Sequence, residues 1–194
     1  MHNFSNIKLS NFKINGQFSN FVYDFYNKPY HPFDLGKLMI LVSACLTGEP
    51  VRYDGKSCPN TLLKQLLLNK KAQSLCPELL GGFTTPRLPA EIVGGTGQDV
   101  LDGKAKITDS SGLDVTDLYL KGAYRTLKIA QQIKASCVVL KENSPSCGSQ
   151  KIYNGTFQGE KIVGTGITTA LLQRHGFEVI SENEIEDWLV THSL

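Results

Sequence analysis

A chain of 194 residues, 41% hydrophobic and 20% charged, has the make-up of one folded domain with a modest extra segment, which excludes collagen-like, mucin-like and acidic disordered chains. Its net charge is only +2, without the dense basic run of a dedicated nucleic-acid binder, so small-molecule chemistry is favoured and a local RNA contact stays open. The longest strongly apolar stretch, residues 38–44, falls far short of the roughly 20 residues that span a bilayer. With no secretory-type apolar run at the N-terminus, the expected location is the cytoplasm.

Residues 1–38 stand apart. They carry nine of the 17 aromatic residues and six Asn, with no sustained helical or strand period. Two readings compete: an aromatic extension packed on the body, or sequence upstream of the native start. The second is favoured; if the segment is folded it must cover something, because so many exposed aromatics would invite aggregation. The remainder, residues 39–194, reads as one α/β domain.

The first clean strand is the apolar run 38–44. A Gly- and Pro-rich turn follows, then a helix around 60–70 in which Leu62, Leu63, Leu66 and Leu67 recur at helical spacing. A short strand at 72–75 runs into Cys76-Pro77-Glu78. Residues 80–104, rich in Gly and Pro, read as a long ordered loop. Asp114 or Thr116 caps a helix running to about residue 134, with Leu118, Tyr119, Ala123, Leu127 and Ala130 on one face. A buried strand at 136–141, a hairpin at 150–163, a helix near 166–175, a strand at 177–180 and a terminal helix from about 182 to 190 complete the chain. Strand–helix alternation with short crossovers predicts an α/β fold with a mainly parallel sheet.

Five cysteines in a chain with its own core argue against a secreted disulfide scaffold. Cys45, Cys76 and Cys147 all follow strand ends. In an open parallel sheet the carboxyl ends share one edge, where ligands bind, so three thiols from separate turns can converge. Cys137 opens its strand at the opposite edge and reads as a small buried hydrophobe. Cys58, before Pro59, is either a neighbour of the site or merely near it. The flanks Ser43-Ala-Cys45-Leu-Thr-Gly48, Cys76-Pro-Glu78 and Ser144-Pro-Ser-Cys147-Gly-Ser149 are rich in small and turn-forming residues that present backbone N–H groups to anionic sulfur. No CxxC pair exists, which disfavours a four-cysteine structural zinc site. Three soft thiolates with an open position suit either zinc or an iron–sulfur cluster. His2, His31, His175 and His192 all lie away from these turns.

These blocks, together with Arg52-Tyr-Asp-Gly55, Leu79-Leu-Gly-Gly82, Thr85-Pro-Arg87-Leu-Pro-Ala-Glu91, Gly97-Gln-Asp-Val-Leu-Asp-Gly103 and Lys141-Glu-Asn-Ser-Pro-Ser-Cys-Gly148, resemble the thiouracil desulfidase family from about Met39 to the C-terminus. The resemblance implies a Rossmann-like three-layer α/β sandwich holding a [4Fe-4S] cluster through Cys45, Cys76 and Cys147, with the fourth iron free to take the sulfur removed from a thiolated pyrimidine. It also maps the family's acid/base glutamate onto Glu78 and a motif serine onto Ser144.

The residues agree with that chemistry. An iron without a protein ligand is a Lewis acid for a thiocarbonyl sulfur, and the attacking water needs a base, which Glu78 beside Cys76 can supply. Glu78 also suits a helix start, and Ser144 a turn cap. Asp54 either binds a ring N–H or only closes an Asx turn. Arg87 either holds a uracil carbonyl or phosphate, or pairs with Glu91 or another carboxylate. The Gly94-Gly95-Thr-Gly97 stretch lacks the strand and GKS/GKT ending of a phosphate loop. The leading function is a non-redox desulfidase acting on a small thiolated pyrimidine, with thiolated tRNA still open. A sulfur or iron carrier without turnover, and a zinc hydrolase using the same thiolates, are the alternatives.

Overall fold

The computed structural model describes residues 39–192, so the segment read as an aromatic extension lies outside the described residues. Four short strands form the central sheet: β1 (Ile40–Ser43), β2 (Ala72–Leu75), β5 (Cys137–Leu140) and β8 (Val179–Ser181), in the order β2-β1-β5-β8 and parallel throughout. The apolar run at 38–44 becomes β1 because a strand buried on both faces requires side chains that tolerate it. All four β1 residues are buried. Ile40, Val42, Cys137 and Val139 pack on one face with Leu63 and Leu66 of α1 (Thr61–Leu68) and Trp188 and Leu189 of α6 (Ile185–Thr191). Leu41, Val138 and Leu140 alternate to the other face and are equally sealed.

The chain steps from β1 to β2, then crosses to the opposite side of β1 for β5 and β8. Strand order therefore reverses between β1 and β5, and the crevice beyond their carboxyl ends is where such sheets bind ligands. The register keeps those ends level, with Ser43 opposite Leu75 and Val42 opposite Val139. The three-layer α/β expectation holds.

Residues 80–104 correct the long-loop reading. They contain the end of α2 (Pro77–Gly81), strand β3 (Ala90–Val93) and α3 (Gly97–Leu101). β3 pairs antiparallel with β4 (Lys106–Asp109), so its partner arrives only after α3, a non-local pairing that no local pattern announces. The loop reading passed over the local signal for α3: Asp99 accepts hydrogen bonds from Thr96 N (2.8 Å) and Thr96 Oγ1 (2.9 Å), a Thr-x-x-Asp capping pattern. The long helix α4 (Thr116–Gln132) buries Tyr119, Ala123, Leu127 and Ala130 as predicted, whereas Leu118 faces outward and Gly122 is buried in its place. The reason is the close crossing of α2 over α4: a Cβ on Gly122 would lie 2.2 Å from the Pro77 carbonyl oxygen, and one on Gly81 2.3 Å from that of Leu118. The hairpin β6 (Lys151–Tyr153) and β7 (Lys161–Val163) forms as expected, followed by α5 (Ile167–Arg174).

Candidate active site

Cys45 sits in the 3-10 turn Ala44–Thr47 that follows β1, Cys76 caps the N-terminus of α2 directly after β2, and Cys147 lies in the turn beyond β5. All three line one cavity of about 420 Å³, together with Ser43, Glu78, Arg87, Tyr119 and Ser144. Each thiol is held by its turn. Pro77 sets the first helical position of α2, so Cys76 stands at the helix N-terminus, beside the free N–H groups of the first turn. Around Cys147, Ser144 Oγ accepts from Ser146 N (3.1 Å) and Cys147 N (3.3 Å). Ser43 Oγ accepts from Lys141 N (3.2 Å) and points its own hydrogen at Cys147 Sγ (3.9 Å), tying the β1 end to the β5 end. Glu142 closes the turn from below, accepting from Ser149 N (3.0 Å), Ser149 Oγ (2.7 Å), Gln150 N (3.1 Å) and Lys151 N (2.6 Å).

Protein alone is a poor host for three thiolates here. Burial, then the charge of Glu78, pushes Cys76 up to about 11, and the same two causes push Cys147 higher still. Cys45 is raised by a thiol–thiol hydrogen bond with Cys58, then by burial, then by the charges of Cys58, Cys147 and Cys76. Mutually repelling sulfurs in a low-dielectric wall call for a cation between them. Among the described residues no group of three or more His, Cys, Asp or Glu side chains is placed to hold a single metal ion. Three soft thiols lining one cavity suit an iron–sulfur cluster or a zinc ion.

The other two cysteines fall elsewhere. Cys137, fully buried at the start of β5, is pushed up to about 12, mainly by burial. Cys58 donates its backbone N–H to Cys45 O (3.0 Å), and its thiol contacts that of Cys45, while Cys58 itself is not among the residues lining the cavity. That contact, with help from Lys141 and Arg52 and against burial, lowers it to about 7.

Glu78, Arg87 and Ser144 form one connected unit. Ser144 Oγ donates to Glu78 Oε1 (3.1 Å), and Arg87 Nε donates to Glu78 Oε2 (2.7 Å) with a second, shorter contact from Nη2. The remaining Arg87 donors go to Thr84 O (3.1 Å), Thr85 Oγ1 (3.3 Å) and Val51 O (3.1 Å). A guanidinium has five N–H groups, and all five are engaged. Arg87 thus lines the cavity without a donor to spare for a carbonyl or phosphate, and its carboxylate partner is Glu78 rather than Glu91. Asp54 is not among the cavity-lining residues. Its Oδ1 accepts from Lys56 N (3.1 Å), the Asx-turn geometry, and Arg52 stands 4.0 Å from its other oxygen.

A model of the 2-thiouracil desulfurase family matches residues 40–184. The chain belongs to that family. Uncharacterized protein YbbK of Bacillus subtilis (strain 168) is 60% identical over 151 residues, which cover 78% of this chain and 100% of that relative. Among solved structures, the [4Fe-4S]-dependent thiouracil desulfidase TudS is similar with a TM-score of 0.71 at 43% identity, over 81% of this chain and 99% of that one. The resemblance read from the cysteine-bearing motifs is borne out at the level of the family. As a member, the chain offers a donor set that fits a [4Fe-4S] cluster: three cysteines lining one cavity, the Ser43 hydroxyl directed at Cys147 Sγ, and burial that disfavours free thiolates.

Several cavity residues had no sequence signal of their own. Tyr119 was assigned to a helix core face, yet it lines the cavity, where burial and then Glu78 raise its hydroxyl well above the ordinary range. Ser43, Glu91, Glu142, Tyr153 and Phe157 also line it. Ser43 and Glu142 lie inside the quoted motifs, so a polar side chain next to a ligand turn was the available clue. Tyr153 and Phe157 reach the cavity only because the β6–β7 hairpin folds over it.

Proposed function

We propose that this protein removes sulfur from a thiolated uracil by non-redox hydrolysis, so that the thiocarbonyl compound and water give the oxo base and hydrogen sulfide. Cys45, Cys76 and Cys147 hold a [4Fe-4S] cluster. When bound, that cluster supplies a Lewis-acidic iron for the thiocarbonyl sulfur. The observation that carries the reading is the shared lining: Cys45, Cys76, Cys147 and Glu78 line one cavity at the switch point of the sheet.

Glu78 is the base that takes a proton from the attacking water. Its Oε2 is saturated by two Arg87 N–H groups, while Oε1 accepts only the Ser144 hydroxyl and keeps a lone pair open. Oε1 is therefore the atom that receives the proton. Arg87 acts as a positioning residue, clamping the carboxylate plane. Ser144 joins the base to the Cys147 turn and fixes the two relative to each other. The substrate is a small thiolated pyrimidine and the site of action the cytoplasm; among the described residues no helix is long and apolar enough to cross a membrane.

The test is anaerobic purification and reconstitution with iron and sulfide, followed by measurement of iron content, visible absorbance and conversion of 2-thiouracil to uracil. A cluster-loaded protein that releases uracil and sulfide in equal amounts is the expected result. A loaded protein that binds sulfide without releasing uracil is a carrier, and a colourless protein that turns over with zinc is a zinc hydrolase; either result overturns the proposal.

A further inference from the structure

The cavity has an aromatic side that the chemistry above does not use. Tyr53, Tyr153 and Phe157 all line it. Phe157 lies in the turn between β6 and β7 with φ +57°, a left-handed conformation that is unfavourable for a bulky side chain. Such strain persists only where the surroundings hold it. The hold here is explicit. Glu91 of β3, itself buried, accepts from both Gly155 N (2.9 Å) and Phe157 N (3.1 Å) through Oε2. Gly155 presses so closely on β3 that a Cβ there would lie 2.5 Å from Ile92 O. Asn154 Oδ1 accepts from Thr156 N (3.1 Å) and Oγ1 (2.6 Å), closing the turn from within.

All this fixes a phenyl ring that stays 38% exposed. Glu91 holds the backbone of this turn, and the side chain is left exposed at the cavity, free to meet a bound molecule. The ring lines the same cavity as the three thiols and the Glu78 carboxylate. A flat heteroaromatic ring whose sulfur points toward the thiols has its own face free to lie against an aromatic side chain.

We propose that Phe157 is a stacking platform for the pyrimidine ring of the substrate, held in place by Glu91 as a positioning residue. This rests on the desulfidase reading and names the contact that selects an aromatic substrate at the same site. Loss of such a contact weakens ground state and transition state alike, so it appears in KM with kcat little changed.

The experiment compares wild type, Phe157→Ala, Phe157→Tyr and Phe157→Gly on the cluster-loaded protein. It reads KM and kcat for 2-thiouracil, the Kd for uracil by calorimetry, and the thermal midpoint. Phe157→Ala and Phe157→Gly should raise both KM and the uracil Kd about tenfold, in line with removing one aromatic partner from a base, and Phe157→Tyr should retain wild-type values. Phe157→Gly should also keep or raise the midpoint, since glycine adopts this φ without strain. An unchanged uracil Kd in Phe157→Ala, no uracil binding by the wild type, or a fall of several degrees in the midpoint of Phe157→Gly overturns the proposal. Uracil binding reads the platform independently of turnover, so an inactive wild type that still loses uracil affinity in Phe157→Ala refutes the desulfidase reading and leaves the platform standing.

Discussion

Ser144 and Glu78 are joined by a 3.1 Å hydrogen bond across 66 residues of sequence, and through it the carboxylate of α2 is tied to the turn that carries Cys147. Only one lone pair of the Glu78 oxygens is left without a partner, and Glu78→Gln tests it as the base. The amide keeps the shape but has no basic oxygen, and because its NH2 must face either Ser144 or the Arg87 donors, a thermal melt of the same variant reads the structural part of its effect. Desulfidation should fall by about 10²–10⁴-fold with iron content unchanged, the usual size of a general-base contribution. Ser144→Ala removes the bond to Glu78 and the two that Ser146 N and Cys147 N donate to the hydroxyl, yet leaves the base, so turnover should fall less than in Glu78→Gln. Iron assay and turnover on the same anaerobic sample check both. Full iron with wild-type turnover in Glu78→Gln would rule that residue out as the base.

The Arg87–Glu78 pair is buried, with side chains 8% and 11% exposed, so its partners depend on one another. Arg87→Ala leaves a carboxylate buried without its cation. Breaking a pair of this kind costs about 3–5 kcal/mol, which in a chain of this size lowers the melting midpoint by roughly 10 °C. Lysine is not a conservative replacement, because three donors on a flexible stem do not reproduce five in a planar fork. Thermal melts of Arg87→Ala and Arg87→Lys should both fall below wild type, and a wild-type midpoint for either would show the pair to be dispensable.

Single Cys→Ser substitutions at positions 45, 76 and 147 should each abolish both visible absorbance and turnover. Cys137→Ser should keep the cluster, because that thiol is sealed in the core at the far end of β5. Cys58→Ser should keep it too, since Cys58 contacts the Cys45 thiol and is not among the cavity-lining residues. Iron quantification across the five variants decides the assignment, and loss of iron in Cys58→Ser would make Cys58 part of the ligand set.

Gly122→Ala tests how α2 is seated. The added methyl would meet the Pro77 carbonyl, a backbone atom that moves only if α2 moves, and α2 carries both Cys76 and Glu78. Overpacking of this sort costs about 1–3 kcal/mol. Reduced stability in a chemical melt, together with faster loss of iron to a chelator, is the expected pair of results. Stability and iron retention equal to wild type would show that the crossing is slack.

Removal of residues 1–38 should leave a folded, active enzyme, because β1 begins at Ile40 and the family match begins at the same residue. The comparison is solubility, thermal midpoint and turnover of the truncated and full chains. An insoluble or inactive truncation would mean that the aromatic segment covers part of the domain.

Much of this architecture was legible in the amino-acid order alone. Apolar runs at 38–44 and 136–141 declared buried parallel strands, because only side chains without polar demands survive on both faces of a sheet. The three cysteines were placed by the same logic, since a residue just past a parallel strand is delivered to the ligand-binding edge whatever the details of packing. The short elements β3 and β4 were not legible: each is four residues long and is stabilised by pairing with the other across an intervening helix.

The roles of individual polar side chains were decided by tertiary structure. The sequence allowed Arg87 either a substrate or a carboxylate, and the choice fell to Glu78 because α2 and the 84–87 loop meet with Thr84, Thr85 and Val51 supplying the remaining acceptors. Asp54 is the counter-case, since its Asx turn to Lys56 N is local and was one of the two readings the sequence offered. Phe157 gave no sign of a cavity position, since a hairpin tip acquires neighbours only when Glu91, 64 residues before Gly155, pins it. Periodicity and strand polarity act locally and through the sheet, so they can be read along the chain. A hydrogen-bond donor's partner depends on which surfaces meet in three dimensions, and that is settled only once the layers are packed.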